Sequence, residues 1–518
     1  MVIKMRKLSK KDYIEKMKGC WLGKSIGGTL GTPFEPTRGV FDIDYYTADL
    51  SNVMLPNDDL DLQLVWLNAA ERYKTELNAQ ILADYWILGV IPNWAEYGVG
   101  KSNMRMGLIP PVTGKYRNNY KDSNGAWIRS EIWACLAPGH PEIAAKYAFE
   151  DACADHADEG VYGEIFIAAI ESAAFVESDK FKLIDIGLSY IPKDCECAKA
   201  VRRIIELYRS GIDWKAARYQ LMKDFPGSFG AQWRGVEEGI SNSDWGYDAP
   251  NNIAITLIGW LYAGDDFGRA LCITTGCGED SDCTAGALGA ILGILLGAEG
   301  IPAKWKDPIG DKIVTACVSH FTNRIRVPRT IGELTARTAN LMPAFLNGFV
   351  NITGDESQLI NAYEGDELLC QPHYVIDTAN GWEERYTRDS IPNGYTFRGA
   401  SAMLSVEITA PNGIDIAPLS PVPLNVKIEN VAGFMGMPLW ADVRWLTPDG
   451  ISVEGGNEYN VFVNQEHCGT GRAFHDVNII AEGALQPLNT LVCEISVKGY
   501  SSRIYVPVTL VNARGEQR

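Results

Sequence analysis

The sequence predicts two parts of different class. Residues 1–350 read as an all-α helical bundle, and residues 365–518 as an all-β sandwich of immunoglobulin-like type. Three observations carry this. Up to about residue 345 the apolar residues recur with a helical period. After about residue 365 the period becomes two, with turn signals between short runs. A chain of 518 residues also exceeds what one ordinary core organises, so two or more domains are expected.

In the first part, "HPEIAAKYAFEDA" places Ile143, Ala144, Tyr147 and Ala148 on one helical face, with Pro141 in the first turn. "GEIFIAAIESAAFVE" is apolar on most sides, as a helix buried inside a bundle is. "DLDLQLVWLNAAERYK" carries Leu60, Leu64 and Leu67 on one face, and small residues recurring throughout permit close helix packing. In the second part, "LWADVRWL" turns Ala441, Val443 and Trp445 one way and Asp442 and Arg444 the other. "LVCEISVKGY" alternates Cys493, Ile495 and Val497 with Glu494, Ser496 and Lys498, and "PNG" at 411–413 and "PDG" at 448–450 mark turns. Several short strands at this spacing point to the sandwich. The boundary falls within "NITGDESQLINAYEGDE" (351–367).

The composition is that of a globular protein, and a net charge of −18 with pI near 4.9 argues against binding nucleic acid through its phosphates. The basic N-terminus lacks the apolar core of a secretory signal, and the longest apolar run, Ala285 to Ala298, is short for a membrane span. Twelve cysteines follow no disulfide or zinc pattern, with Cys195 and Cys197 the only close pair. That usage suits free thiols in a reducing compartment, so a cytoplasmic protein with neither nucleic-acid nor membrane partners is expected.

Function is concentrated in a few polar islands. In "GCGEDSDCTAGALGAILGILLG", Glu279, Asp280 and Asp282 crowd together before a helix that looks made for burial. Helix capping accounts for one or two acids there. Three make a bound cation a live alternative, because charge beside an apolar interior is costly without a counter-charge. "LPNDDLDLQ" repeats the theme with Asp58 and Asp59, and "GKSIGGTLGTPFEP" ends in Glu35. Carboxylates converging from three segments suit a hard divalent cation, which takes oxygen ligands. "GCWLGKS" ends like a phosphate-binding loop, but its glycines are one residue too close and a helical segment precedes it, so that reading is rejected. A last constellation joins "DSNGAWIR" (122–129) and "DHADEGVYGE" (155–164). Its Asn-Gly loop and His156 are either ligand-binding groups or a surface turn with a satisfied histidine.

Taken in order, "GCWLGKSIGGTLGTPFE", "PNDDLDLQ", "SNGAWIR", "DHADEGVYGE" and "GEDSDCTAGALGAILG" resemble the motifs of the ADP-ribosylglycohydrolase family, over about residues 15 to 310. The resemblance implies an all-α catalytic domain with a centre of two magnesium or manganese ions. It implies as metal ligands Asn57, Asp58, Asp59, Asp280, Asp282 and Cys283, with Glu35 nearby. Ser123, Asn124, Gly125 and His156 would then hold the ribose and phosphate region of the substrate, and Glu35 or Asp59 would act as general base. Asn57 and Cys283 stand where the family pattern has threonine, Glu279 where it usually has a neutral residue, and a thiol is a poor partner for magnesium.

The implied reaction is metal-dependent hydrolysis at the anomeric carbon of an ADP-ribosyl or related ribosyl group carried by a protein or a small molecule. Hydrolysis of another sugar or nucleoside-type glycoside, and an inactive binding homologue, are the rival readings. The sandwich, outside the resemblance, is expected to be an accessory module.

Overall fold

The computed structural model describes residues 4–35, 39–225, 246–319, 325–352, 358–370, 374–377, 381–384, 391, 394–431, 437–464, 471–501 and 503–513. Residues 353–357 of the expected boundary stretch lie outside that set. The chain forms two compact units: Met1–Lys101 with Arg117–Gln371, and Ser102–Tyr116 with Pro372–Arg518.

The first unit is helical, and its organising contact lies between two glycine-rich helices. The helix Lys10–Gly31 starts at Ser9, whose hydroxyl accepts the Asp12 N–H at 3.1 Å. Gly19, Gly23, Gly27 and Gly31 recur every fourth residue and so share one face. That face meets the helix Ser281–Gly300. A β-carbon added at Gly19 would lie 2.1 Å from the Gly293 carbonyl oxygen, and one at Gly23 1.9 Å from that of Gly289. One at Gly27 would meet Ala285 at 1.9 Å, and one at Gly31 the backbone of Asp282 at 2.4 Å. The partners descend as the glycines ascend, so the helices are antiparallel and touch backbone to backbone. Gly19–Ser25 therefore lies inside a helix, as the rejection of a phosphate-binding loop requires.

Other helices follow the sequence pattern. Asp58–Tyr73 buries every residue from Asp59 to Ala70, including Leu60, Leu64 and Leu67. Glu159–Ala174 is buried on almost all sides. Pro141–Ala152 buries Ala144, Tyr147 and Ala148, although Ile143 is only half-buried. Ser281–Gly300 has the length and hydropathy of a membrane span, yet most of it is buried inside this unit. The helical unit also carries a small antiparallel sheet, which the period reading missed. Gln358–Tyr363 lies there between Met5–Ser9 and Val350–Ile352.

The second unit is β-rich, with sheets of five, four and two strands among the described residues. Leu439–Leu446 alternates as expected, burying Ala441, Val443 and Trp445, and Leu488–Val497 does so with Cys493, Ile495 and Val497. These two pair antiparallel, Ile495 opposite Val443, in the four-stranded sheet. Val422–Asn430 sits inside the five-stranded sheet, and the buried faces of both sheets share one apolar core. Leu108, Val112 and Tyr116 of the separate segment Ser102–Tyr116 complete that core.

Candidate metal centre

Three polypeptide stretches of the helical unit build the site. The first is the turn after Gly31, where Glu35 sits partly exposed. The second is the start of Asp58–Tyr73, capped by Asn57: its Oδ1 accepts the Asp59 N–H at 2.7 Å. A backbone N–H only donates, so the oxygen of this amide must face it. The nitrogen then faces Asp282 and donates to Oδ2 at 2.9 Å. Asp58 accepts the Tyr97 hydroxyl at 2.9 Å. Asp59 is 3.0 Å from the ammonium of Lys24, which is also 3.0 Å from Glu131 and donates to the Ile128 carbonyl at 2.6 Å.

The third stretch is the turn before Ser281–Gly300. Gly278 and Glu279 both adopt left-handed backbone, with φ of 71° and 65°. For Glu279 that conformation costs about 1–2 kcal/mol. The Arg218 guanidinium helps to hold it, donating to Glu279 at 2.9 Å and to the Cys277 carbonyl at 3.0 Å. Asp280 occupies the position before the helix, yet its side chain makes no capping bond. Capping therefore fails to explain it. Its N–H donates to Asn252 Oδ1 at 3.2 Å, and its Oδ2 accepts from Asn124 at 2.8 Å.

These stretches bring single oxygens of Glu35, Asp280 and Asp282 within 4.8 Å of one another, and a second group joins Asp59, Asp282 and the Cys283 sulfur within the same limit. Asp282 belongs to both. No donor among the described residues reaches Oδ1 of Asp280 or of Asp282, although both side chains are almost wholly buried. The electrostatics show the consequence. Repulsion from Asp282, then burial, pushes the Glu35 carboxyl up to about 9. Burial, reinforced by neighbouring acids, raises Asp58 to about 6 and Asp59 to about 7, and lifts Asp280 and Asp282 above the usual carboxylate range. Burial also keeps the Cys283 thiol protonated, and it points at Asp59 Oδ1 from 3.4 Å. An all-oxygen group of crowded carboxylates with unpartnered buried oxygens fits a hard divalent cation.

The loop 123–125 and His156 lie in one buried network. Ser123 Oγ is 3.0 Å from His156 Nε2, and His156 Nδ1 is 2.9 Å from Asp155. Asp155 also pairs with Arg129 at 2.7 Å. Ser123 and His156 therefore satisfy each other, while Asn124 reaches the acidic group through Asp280. Gly125 leaves room for Glu96: an added β-carbon would lie 2.1 Å from its carboxylate oxygen.

The family model described as ADP-ribosylglycohydrolase matches residues 9–335, more than half of the chain. The chain belongs to this family. Membership makes it an ADP-ribosylglycohydrolase-like hydrolase. A comparison with curated proteins gave no match. A solved structure described as "ADP-ribosylglycohydrolase-related protein complex" is similar at 17% identity with a TM-score of 0.42, over 65% of this chain and 99% of that one.

Several residues of this candidate site are not marked in the sequence. Lys24 is one, although it is the only charge in "GCWLGKSIGGTLG", a sign that something negative meets it. Arg218, Tyr97 and Asn252 are others; each acts on its acid from a distant part of the chain, and nothing local announces them. Thr284, the hydroxyl next to Cys283, donates to the Ser281 carbonyl at 3.3 Å.

Proposed function

We propose that the protein hydrolyses the bond at the anomeric carbon of an ADP-ribosyl or related ribosyl conjugate, using magnesium or manganese held by Glu35, Asp280 and Asp282. The observation that carries this is the pair of unpartnered buried oxygens on Asp280 and Asp282, beside Glu35, within the segment that matches the family. A divalent cation held there would keep the clustered carboxylates ionised and orient the ribose hydroxyls.

The protein's own groups divide the remaining work. Glu35 is the member of its cluster that solvent reaches, so it takes the proton of the attacking water. Asp59 is closed off by Lys24 and the Cys283 thiol and serves instead to position the cluster. Asn124 orients Asp280, and the His156–Asp155–Arg129 chain holds the Ser123–Gly125 loop beneath the ribose and phosphate region. The β-rich unit, read as an immunoglobulin-like sandwich because its two larger sheets share one core, is an accessory module.

The test offers the full chain an ADP-ribosylated protein and a panel of nucleosides and glycosides, with and without magnesium. Release of ADP-ribose or a related ribosyl product, lost in Glu35→Gln and Asp280→Asn, is expected. Metal-independent turnover, or turnover only of non-ribosyl glycosides, would overturn the proposal.

A further inference from the structure

The resemblance implies a pair of ions, but the two clusters around Asp282 differ in what already satisfies them. We infer that this chain holds one divalent cation, on Glu35, Asp280 and Asp282, and that its own donors occupy the second position. The inference rests on the proposed metal site and concerns how many ions that site takes.

The second cluster is filled from within. Asp59 Oδ2 lies 3.0 Å from the Lys24 ammonium, an ion pair and not a directed hydrogen bond, and Oδ1 accepts the Cys283 thiol at 3.4 Å. Asp282 Oδ2 accepts the Asn57 amide at 2.9 Å. The amide cannot turn its oxygen to a cation without losing the helix cap, because that oxygen receives the Asp59 N–H at 2.7 Å. Lys24 is also fixed: Glu131 and the Ile128 carbonyl hold the same nitrogen. Three donors therefore stand where a cation would need acceptors, and one of them already carries positive charge.

The first cluster is the opposite case. Among the described residues no lysine, arginine or histidine forms a salt bridge with Glu35, Asp280 or Asp282; Arg218 is spent on the neighbouring Glu279. Oδ1 of Asp280 and Oδ1 of Asp282 have no donor. Three oxygens of hard character with no internal counter-charge leave room for one divalent ion. Lys24 and Asn57 are thus positioning residues that replace an ion beside Asp59.

Manganese, titrated into the metal-free full chain, reads the number directly. The expected result is one tightly held ion per chain by equilibrium counting, with the paramagnetic resonance spectrum of an isolated manganese. Two ions per chain with a spin-coupled spectrum would overturn the inference and leave the proposed function standing. No bound ion, or one that persists in Asp280→Asn, would overturn both. The variant Asn57→Asp/Lys24→Met keeps a capping oxygen, removes the amide donor and removes the internal cation. If it melts cooperatively it should take up a second, coupled manganese; a folded variant still holding one ion would refute the role given to these residues.

Discussion

Two of the buried acid clusters among the described residues of the helical unit are built on opposite principles. Around Arg129 the acids are matched: Asp151 lies 2.9 Å and Asp155 2.7 Å from the guanidinium, and His156 adds a second partner to Asp155. At the start of Ser281–Gly300, Asp280 and Asp282 face each other and Glu35 with two oxygens unpartnered. Burial is alike in both places; the charge balance is not, for Asp151 and Asp155 share a guanidinium, although both oxygens of Glu164 beside them lack a donor, whereas no cation pairs with Asp280 or Asp282 among the described residues. A matched cluster holds the fold together, whereas an unmatched one stores repulsion that a ligand can relieve. This is why the second cluster, and not the more numerous charges of the first, carries the functional reading.

The comparison breaks most visibly at its matched side. Arg129→Met leaves Asp151 and Asp155 buried without their cation and should destabilise the protein by about 3–5 kcal/mol, or prevent folding. Denaturant melts of the variant check this, and a loss under about 1 kcal/mol would make the Arg129 cluster no scaffold at all.

A pH series sharpens the contrast with a buried group kept neutral. The His140 ring, buried between Phe349 and Tyr363 and 2.8 Å from the Asn361 carbonyl, titrates at about 4, burial being the main cause. The unfolded chain takes up this proton near pH 6.5, before the folded one does. Stability from this group is therefore complete above about pH 6.5 and is lost as pH falls towards about 4, by about 3 kcal/mol in all. Thermal or urea melts of the wild type and His140→Gln across that window should show the difference shrinking as pH falls; a constant difference contradicts the assignment.

The unmatched cluster should give the smallest and oppositely signed change in stability. In chelator, Asp280→Asn removes repulsion and should raise stability by about 1 kcal/mol or leave it unchanged, while abolishing stabilisation by magnesium. A large destabilisation in chelator would show that Asp280 belongs to the scaffold. Cys283→Thr sharpens this further: it exchanges a thiol that donates to Asp59 for a hydroxyl, and calorimetric titration should show a magnesium affinity unchanged within about twofold if Cys283 only packs and donates.

Much of this was legible in the sequence because it is local. Helical period marked Asp58–Tyr73 and Glu159–Ala174, alternation marked Leu439–Leu446, and acids before apolar runs marked Asp58, Asp59, Asp280 and Asp282. What stayed hidden depends on partners far along the chain. Asn57 reads as a metal ligand in the sequence, where neither its cap to the Asp59 N–H nor its bond to Asp282 can be seen. Glu279 looks like a third site acid until Arg218, sixty-one residues earlier, neutralises it. The strand Gln358–Tyr363 gains its identity by pairing with Met5–Ser9, and Ser102–Tyr116 joins a core formed by residues three hundred positions away.

The glycine row of Lys10–Gly31 has a mechanical consequence. Where two helices touch backbone to backbone, no rotamer can absorb a change in spacing, so a methyl group acts as a wedge. Gly19 lies roughly 18 Å along the axis from Gly31, at 1.5 Å per residue. A wedge there tilts one rod against the other, and the tilt is delivered where Gly31 meets Asp282, next to the turn carrying Glu35. Sensitivity to mutation in this unit should then follow the line of glycines instead of fading with distance from the chemistry, and the far end of the row becomes a tuning screw for the spacing of carboxylates it never touches.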